Sequence, residues 1–349
     1  MSVQVAMDAI RNAFESSGDF DELEIDFHGG EPLLAFKEIH EICEWLWKHT
    51  WEKPYICFAT TNGTLLRGKI KDWVSANHER FVLGLSLDGT PEMHDVNRSK
   101  SFTSIDIGFY LGLWPFQPVK MTISPLTLPD LAKGIIYFQV NQIPFTANFA
   151  FGIDWPHDAE LVLTDQLAIL NDYYVARPEL VPPPFMVLPI HRVLSEVGSM
   201  RQCGSGRSMS CIDRNGFSYP CHMFLPSSLG IPGIDAPAAA RILEAAPLLN
   251  QECERCCLAG ICPTCYGLSL ARYGAVEARD GMLCRFTRVR ARSSASLISR
   301  MILSGWEKYR FFFGKPISET VDSISAIGLL ALGNISRPEQ KSSVSTRPA

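Results

Sequence analysis

Cysteine is the residue type in this sequence whose spacing predicts chemistry most directly. Nine of the eleven cysteines lie between Cys203 and Cys284. Seven of them follow a regular pattern built around a C-x2-C-x5-C-x2-C run: Cys203, Cys221, Cys253, Cys256, Cys262, Cys265 and Cys284. Packing alone does not produce such spacing, so these thiols are expected to be bonded to a metal or to one another.

Three kinds of bonding compete for these thiols. Disulfides are typical of small secreted domains, whereas this chain has 349 residues and its start predicts an amphipathic helix instead of a signal peptide. One structural zinc ion needs four ligands and would leave three of the seven cysteines unused. Two cubane iron–sulfur clusters would use seven or eight thiolates. The spacing therefore favours iron–sulfur clusters and leaves zinc as the alternative.

Composition excludes several classes of function. The formal net charge is -5 and the pI is about 5.9, which argues against a general nucleic-acid surface. The sequence contains no apolar run of about 18 residues that could span a bilayer. With 46% hydrophobic residues the chain can bury a core. Because exposed clusters are destroyed by oxygen, we expect a cytoplasmic, reducing and anaerobic setting.

The first 150 residues alternate apolar runs with segments of helical period. This alternation predicts parallel strands joined by helices, in an α/β fold of the TIM-type (β/α) kind. The predicted strands are Glu22 to His28, Tyr55 to Thr60, Phe81 to Leu87, Val119 to Ser124 and Phe145 to Phe151, and the predicted helices cover 35–49, 67–78, 103–113 and 129–141.

The rest of the chain is predicted to be less regular. Residues 153–200 are expected to lack regular structure, and three prolines at 182–184 precede a domain boundary near 200. A basic helix is predicted from Arg285 to Lys308, followed by a disordered tail. The predicted domains are 1–200, 201–286 and 287–349.

Short polar motifs follow the first three predicted strands. In parallel α/β folds the chemistry lies at these strand ends. Each motif alone is typical of an ordinary turn. The candidate binding residues that they supply are Gly29, Gly30, Glu31, Pro32, Thr61, Asn62, Ser86, Asp88 and Arg98.

Together with the cysteines, these motifs resemble radical S-adenosylmethionine (SAM) enzymes that carry a SPASM cysteine domain. The resemblance covers roughly residues 3–286 and implies a partial (β/α) TIM-type barrel without its first strand, followed by a small Cys-rich SPASM domain. It implies that Gly29 to Pro32 bind the SAM amino group and that Thr61 and Asn62 line the nucleoside. It also implies that Ser86 and Arg98, with Asp88 in the same motif, hold the SAM carboxylate.

The resemblance also implies two auxiliary [4Fe-4S] clusters. The first would be held by Cys203, Cys221 and Cys265, and the second by Cys253, Cys256, Cys262 and Cys284. Cys211 is a candidate fourth ligand of the first cluster, although a small buried side chain is ordinary at that place. Cys257 is interpreted as a bystander.

The family's C-x3-C-x2-C triad, which holds the cluster that cleaves SAM, does not occur in this sequence. Before residue 200 the cysteines are Cys43 and Cys57, both in apolar patterns and interpreted as core thiols. The resemblance places the triad upstream of Met1, and a third cluster is expected only if such a segment exists. We expect a start assigned too late, and no radical formation by the chain as written.

The residue after Cys221 bears on the substrate. The family's sulfatase-maturing members carry an aspartate there, which acts as a base, whereas this chain has His222. His222 is a candidate base or a structural imidazole, and it favours enzymes that modify ribosomal peptides through hydrogen abstraction by a 5'-deoxyadenosyl radical. The expected partners are a peptide or protein substrate and an electron donor such as a reductase, ferredoxin or flavodoxin. Two alternatives stay open: a non-catalytic Fe–S protein or partner subunit, and an anaerobic sulfatase-maturating enzyme.

Overall fold

The computed structural model describes residues 1–193, 203–231, 234–247, 249–304 and 317–331. The chain divides into two compact units. The first contains residues 1–170, 183–185 and 204–245, and the second contains 171–182, 186–203 and the residues from 246 onward. The predicted boundary near 200 lies outside the described residues, and the domain limits stay predictions.

The first unit is built on parallel strands that follow one another along the chain. They are β1 (Leu23–Phe27), β2 (Tyr55–Thr61), β3 (Phe81–Leu85), β4 (Val119–Ile123) and β5 (Phe145–Phe149). β1, β2 and β3 form one sheet, and β4 and β5 form another. A parallel bridge between Ser86 and Lys120 links β3 to β4. The α/β class is confirmed, and all five predicted strands are observed within two residues at each end.

Helices precede and connect these strands; the four predicted connecting helices are among them, whereas the short helix at 91–97 was not predicted. They are α1 (Val3–Ser16), α2 (Phe36–Lys48), α3 (Gly68–Asn77), α4 (Pro91–Asn97), α5 (Ile107–Leu113) and α6 (Leu131–Val140). α1 begins at the N-cap Ser2, whose hydroxyl accepts the backbone N–H of Val5. It packs on α2, and the Phe14 ring stacks on Trp51 with ring centroids 4.2 Å apart.

Buried apolar side chains fill the space between the strands and the helices. Leu83 on β3, Val119 on β4 and Ile135 on α6 have no exposed surface. Cys43 on α2 and Cys57 on β2 are equally buried, and the neighbouring Cys57 together with burial raises the pKa of Cys43. The interpretation of these two cysteines as core thiols is confirmed.

The expectation of irregular structure over residues 153–200 is wrong, because α7 (Ala159–Val175) lies there. Leu163, Leu167, Leu170 and Tyr174 are buried along one side of it. Exposed apolar residues such as Leu161 and Ile169 occupy other sides. Apolar residues all round the helix conceal the period that usually identifies one.

The remainder of the first unit carries a small hairpin and two helices. Its elements are β6 (Cys211–Ile212), β7 (Ser218–Tyr219), α8 (Pro226–Leu229) and α9 (Ala236–Ala245). β6 and β7 pair in antiparallel fashion, with Cys211 opposite Tyr219.

The second unit carries the remaining helices. They are α10 (Gln251–Glu254), α11 (Tyr266–Tyr273), α12 (Gly281–Leu303) and α13 (Ile317–Ala331). The predicted basic helix corresponds to α12, and its predicted end at Lys308 lies outside the described residues, as does the predicted disordered tail at 337–349. α13 was not predicted. No helix among the described residues is both long and apolar enough to cross a membrane.

Candidate functional site

Glu31 connects the ends of β1 and β2. Its carboxylate accepts the backbone N–H of Leu33 at 3.1 Å, the hydroxyl of Thr61 at 2.8 Å and the backbone N–H of Asn62 at 2.8 Å. The Glu31 side chain therefore holds together two of the loops that the sequence singled out. A carboxylate fixed by three donors is a rigid acceptor for a further cation.

The two glycines before Glu31 have open space beside them. A Cβ atom added at Gly29 or Gly30 would meet no protein atom within 4 Å. Packing within the described residues therefore does not require glycine at either position. Pro32 follows at the first position of a short 3-10 helix, where its fixed φ suits the turn. The bare backbone offers a place where a ligand can approach closely.

Asn62 forms a tight turn at the end of β2. Its Oδ1 atom accepts the backbone N–H of Thr64 at 2.9 Å and the Thr64 hydroxyl at 2.7 Å. Gly63 has φ +79°, which glycine adopts without strain. No hydrogen bond from the Asn62 Nδ2 group to any residue in the described ranges is found, so this donor is available to a ligand.

Ser86, Asp88 and Arg98 lie at the next strand end. The backbone N–H of Ser86 donates to Thr61 O at 2.9 Å, which places it beside the Glu31 and Thr61 pair. Arg98 forms a two-point ion pair with Asp88, at 2.7 Å from Nε and 3.2 Å from Nη2. The structure thus brings the predicted SAM-contacting residues to one edge of the strands, and it gives Arg98 a protein partner that the sequence did not reveal.

His28 and His222 are in contact, although 194 positions separate them in the sequence. Their ring centroids are 4.5 Å apart with the planes tilted by 35°. Burial lowers the pKa of His222, and His28 lowers it further. This contact places the glycine loop after β1 beside the segment that contains Cys221.

Asp26 and Lys120 belong to the same neighbourhood and were missed by the sequence analysis. Partial burial raises the pKa of Asp26, while His28, Lys120 and His222 act in the opposite direction. Lys120 Nζ donates to Thr60 Oγ1 at 2.7 Å and lies 4.8 Å from the centroid of the Phe58 ring. Charged residues at alternate positions of a strand, as at Glu24 and Asp26 on β1, were the available signal.

In the second unit, four of the predicted ligands line one cavity: Cys253, Cys262, Cys265 and Cys284. Cys256 lies close enough to Cys253 and Cys262 to raise the pKa of both. Burial is the largest cause of the rise in each case, and it brings the pKa of Cys262 to about 12. Without a cation such thiols stay protonated at neutral pH, whereas a metal binds them as thiolates. Soft thiolate donors around one cavity fit an iron–sulfur cluster or zinc.

The cysteines assigned to the first cluster are divided between the units. Cys211 and Cys221 lie in the first unit, where burial and then the neighbouring Cys221 raise the pKa of Cys211 to about 11. Cys203 and Cys265 belong to the second unit. Among the described residues no group of three or more His, Cys, Asp or Glu side chains is arranged to hold a single metal ion. Both ligand sets therefore stay predictions.

Comparison with known proteins gives two kinds of relative. No family model matches the chain. Two curated proteins, both named cysteine-type anaerobic sulfatase-maturating enzyme and from two strains of Clostridium perfringens, are 40% identical to it over 74 residues. That match covers 21% of this chain and spans only about a fifth, 20%, of the length of each relative.

Solved structures match over most of the chain. The structure of anSMEcpe with bound AdoMet has a TM-score of 0.61 at 17% identity, covering 86% of this chain and 89% of that one. The structure with bound AdoMet and Cp18Cys peptide has a TM-score of 0.59 at 17% identity, covering 85% and 90%. The chain has the fold of an anaerobic sulfatase-maturating enzyme. The resemblance to radical SAM enzymes with a SPASM domain is thereby confirmed, while closure into a partial barrel and the details of the SPASM domain stay predictions.

Proposed function

We propose that this chain binds SAM and a peptide or protein substrate through its first unit and takes part in radical modification of that substrate. The observation that carries the proposal is the contact between His28 and His222. It joins the loop that the resemblance assigns to SAM to the segment that it assigns to an auxiliary cluster. The solved anSMEcpe structure with AdoMet and a peptide bound supports the same pair of ligands.

The residues present fit SAM. Glu31 is an anchored carboxylate that suits the SAM amino group, and Arg98 is a guanidinium that suits its carboxylate. Asn62 has a free donor for the nucleoside, and the open space beside Gly29 lets the ligand approach the backbone. When it is bound and reduced, SAM supplies the radical that removes a hydrogen atom from the substrate.

The cysteines would hold two auxiliary [4Fe-4S] clusters. In the proposal Cys253, Cys256, Cys262 and Cys284 bind the second cluster, and Cys203, Cys221 and Cys265, with Cys211 as a candidate fourth ligand, bind the first. His222 lies next to Cys221 and contacts His28, and in the proposal it holds or moves a proton near the substrate. An external reductase, ferredoxin or flavodoxin would supply electrons.

The substrate class stays a choice between two kinds of maturation. The relatives' names favour sulfatase maturation. His222, in the place of the aspartate expected for that reaction, favours modification of ribosomal peptides. A non-catalytic Fe–S protein or partner subunit is the second candidate function, and it is favoured by the burial of Cys43 and Cys57 in the core, where they cannot hold a cluster that cleaves SAM.

The test uses the full chain, reconstituted anaerobically with iron and sulfide. We expect a brown protein with about eight irons per chain that binds SAM in equilibrium dialysis. With dithionite and the Cp18Cys peptide it should yield no 5'-deoxyadenosine, whereas the chain extended upstream in frame to include the triad should yield it and change the peptide mass. A colourless, zinc-loaded protein or a failure to bind SAM would overturn the proposal. SAM cleavage by the unextended chain would overturn the expectation that it needs the triad.

A further inference from the structure

Asp88 is buried at the end of β3, with 1% of its surface exposed. Its Oδ2 atom accepts hydrogen bonds from Arg98 Nε at 2.7 Å and from Asn97 Nδ2 at 3.1 Å. Its Oδ1 atom accepts hydrogen bonds from the backbone N–H of Thr122 at 2.7 Å and from Arg98 Nη2 at 3.2 Å. A carboxylate has about four acceptor positions, and all of them are taken. Asp88 therefore has no lone pair to offer a ligand.

Arg98 remains partly accessible, with 25% of its side chain exposed. Two nitrogens of its planar guanidinium are fixed by Asp88, which sets the orientation of the whole plane. None of the hydrogen bonds found among the described residues uses Nη1. An arginine held in this way loses little further rotamer freedom when an anion binds.

Contacts with two neighbouring elements, α4 and β4, hold the Asp88–Arg98 pair in place. Asn97 on α4 donates to Thr122 O at 2.9 Å and accepts the Ser124 hydroxyl at 2.7 Å, which ties α4 to the end of β4. The backbone N–H of Asp88 donates to His94 Nδ1 at 3.3 Å. These contacts keep Asp88 in place independently of any ligand.

We propose that Asp88 is a positioning residue that aims Arg98 at the carboxylate of SAM and so makes the site select SAM over analogues that lack this group. The inference rests on the proposed function, because it takes SAM as the ligand of Arg98. It assigns to Asp88 no direct contact with SAM, in contrast to the binding role that its motif suggested.

The experiment compares SAM with decarboxylated SAM, which keeps the amine, the sulfonium and the nucleoside. Binding of each to the full chain is measured by equilibrium dialysis for the wild type, Asp88→Asn, Arg98→Ala and the double variant. We expect the wild type to prefer SAM by about tenfold or more, the gain of one charged hydrogen-bonded pair. Asp88→Asn should remove most of this preference and leave the affinity for decarboxylated SAM unchanged.

The double variant tests whether Asp88 acts through Arg98. If it does, Arg98→Ala and the double variant have equal affinity for SAM. Asp8→Asn, which removes the exposed partner of Arg11 on α1, is the matched control and should behave as wild type. Thermal unfolding of each variant establishes that it is folded.

Three outcomes would overturn the inference. In the first, Asp88→Asn lowers the affinity for both ligands equally, which is the result expected of a purely structural ion pair. In the second, the wild type binds both ligands with the same affinity. SAM binding would then be confirmed, but Arg98 would not recognise the SAM carboxylate. In the third, the folded wild type binds neither ligand, and the proposed function fails together with this inference.

Discussion

The loops that follow β1, β2 and β3 in the first unit and the thiols of the second unit are held in place by different interactions. In the first unit the loop residues are fixed by hydrogen bonds within the protein. The Glu31 carboxylate accepts three and the Asp88 carboxylate accepts four. These side chains reach their positions without a ligand.

The thiols of the second unit have far weaker support. Cys262 has its thiol 3.8 Å from the Thr287 hydroxyl, and sulfur is a poor hydrogen-bonding atom. Its pKa is raised by burial and by the neighbouring Cys284, Cys253 and Cys256. Burial and mutual repulsion therefore oppose the thiolate form until a metal supplies positive charge.

This difference indicates two modes of preparation for binding. The hydrogen bonds of the first region are formed before a ligand binds, so a ligand adds contacts to side chains that are already in place. The second region brings donors near a cavity and leaves the final geometry to the metal. Substitutions should accordingly act on stability in the first region and on metal content in the second.

The largest expected effect is loss of a whole cluster from the second unit. Cys256→Ser should remove about four of about eight irons from the reconstituted chain, because one missing thiolate opens the second site. Binding of a structural metal is worth on the order of 10 kcal/mol. The variant should therefore also be cleaved faster within residues 249–304 under limited proteolysis.

The adjacent cysteine provides the control for that experiment. Cys257 is 3% exposed and, like Cys256, does not line the cavity, but it is interpreted as a bystander outside the predicted ligand set. Cys257→Ala should keep the full iron content. Equal iron loss from both variants would show that the segment needs both thiols for its fold, and the assignment of Cys256 as a ligand would be wrong.

In the first unit the corresponding substitution is Glu31→Gln. The amide keeps one acceptor oxygen but turns an NH2 group toward donors that now lack a partner. We expect a loss of about 2 to 3 kcal/mol in the free energy of unfolding, measured with urea, and no change in iron content. Glu41→Gln, at an exposed position on α2, should leave both values unchanged. Iron loss from Glu31→Gln would contradict the separation of the two regions.

Local patterns sufficed to predict much of the fold. β2 is a short, largely apolar run and β4 alternates buried apolar with polar residues, and the positions of both strands follow from the sequence alone. The polar residues just after the strands were predicted as candidate ligands because strand ends meet at one edge. Hydrogen bonds such as Thr61 to Glu31 bear out that these residues lie together.

Other features depend on contacts that no local pattern encodes. α7 is apolar on several sides, and this hides its period. The contact of His28 with His222 depends on how the hairpin segment folds back, across 194 positions. The ion pair between Arg98 and Asp88 could not be predicted either. A motif shows which residues are near in sequence, and it does not show which carboxylate lone pairs accept hydrogen bonds within the protein.

A smaller effect is expected from Ser294→Ala on α12. Ser294 is fully buried, and its hydroxyl accepts the backbone N–H of Leu188 at 3.0 Å. Alanine leaves that N–H without a partner and should cost about 1 to 2 kcal/mol. Because this bond does not involve the thiols, the loss should be the same in the iron-loaded and the iron-free chain. A loss that depends on iron would show that the metal also organises this part of the second unit.

The smallest expected effect concerns the pH dependence of the first region. His94 has no exposed surface, its Nδ1 atom accepts the Asp88 N–H, and its Nε2 atom lies 3.1 Å from the Ser101 hydroxyl. Burial lowers the pKa of His94, so the neutral ring stabilises the fold fully above its unfolded pKa of about 6.5. That contribution is lost as the pH falls below this value toward the folded pKa.

His94→Asn keeps an acceptor near the Nδ1 position and has no titrating ring. The free energy of unfolding of the wild type should therefore fall between pH 7 and pH 5 by up to about 1 kcal/mol more than that of the variant. His49→Asn, an exposed histidine at the end of α2, serves as the control and should follow the wild type. Identical pH profiles for the wild type and His94→Asn would mean that the first region tolerates a charged His94. Its frame would then be less rigid than the hydrogen bonds around Asp88 indicate.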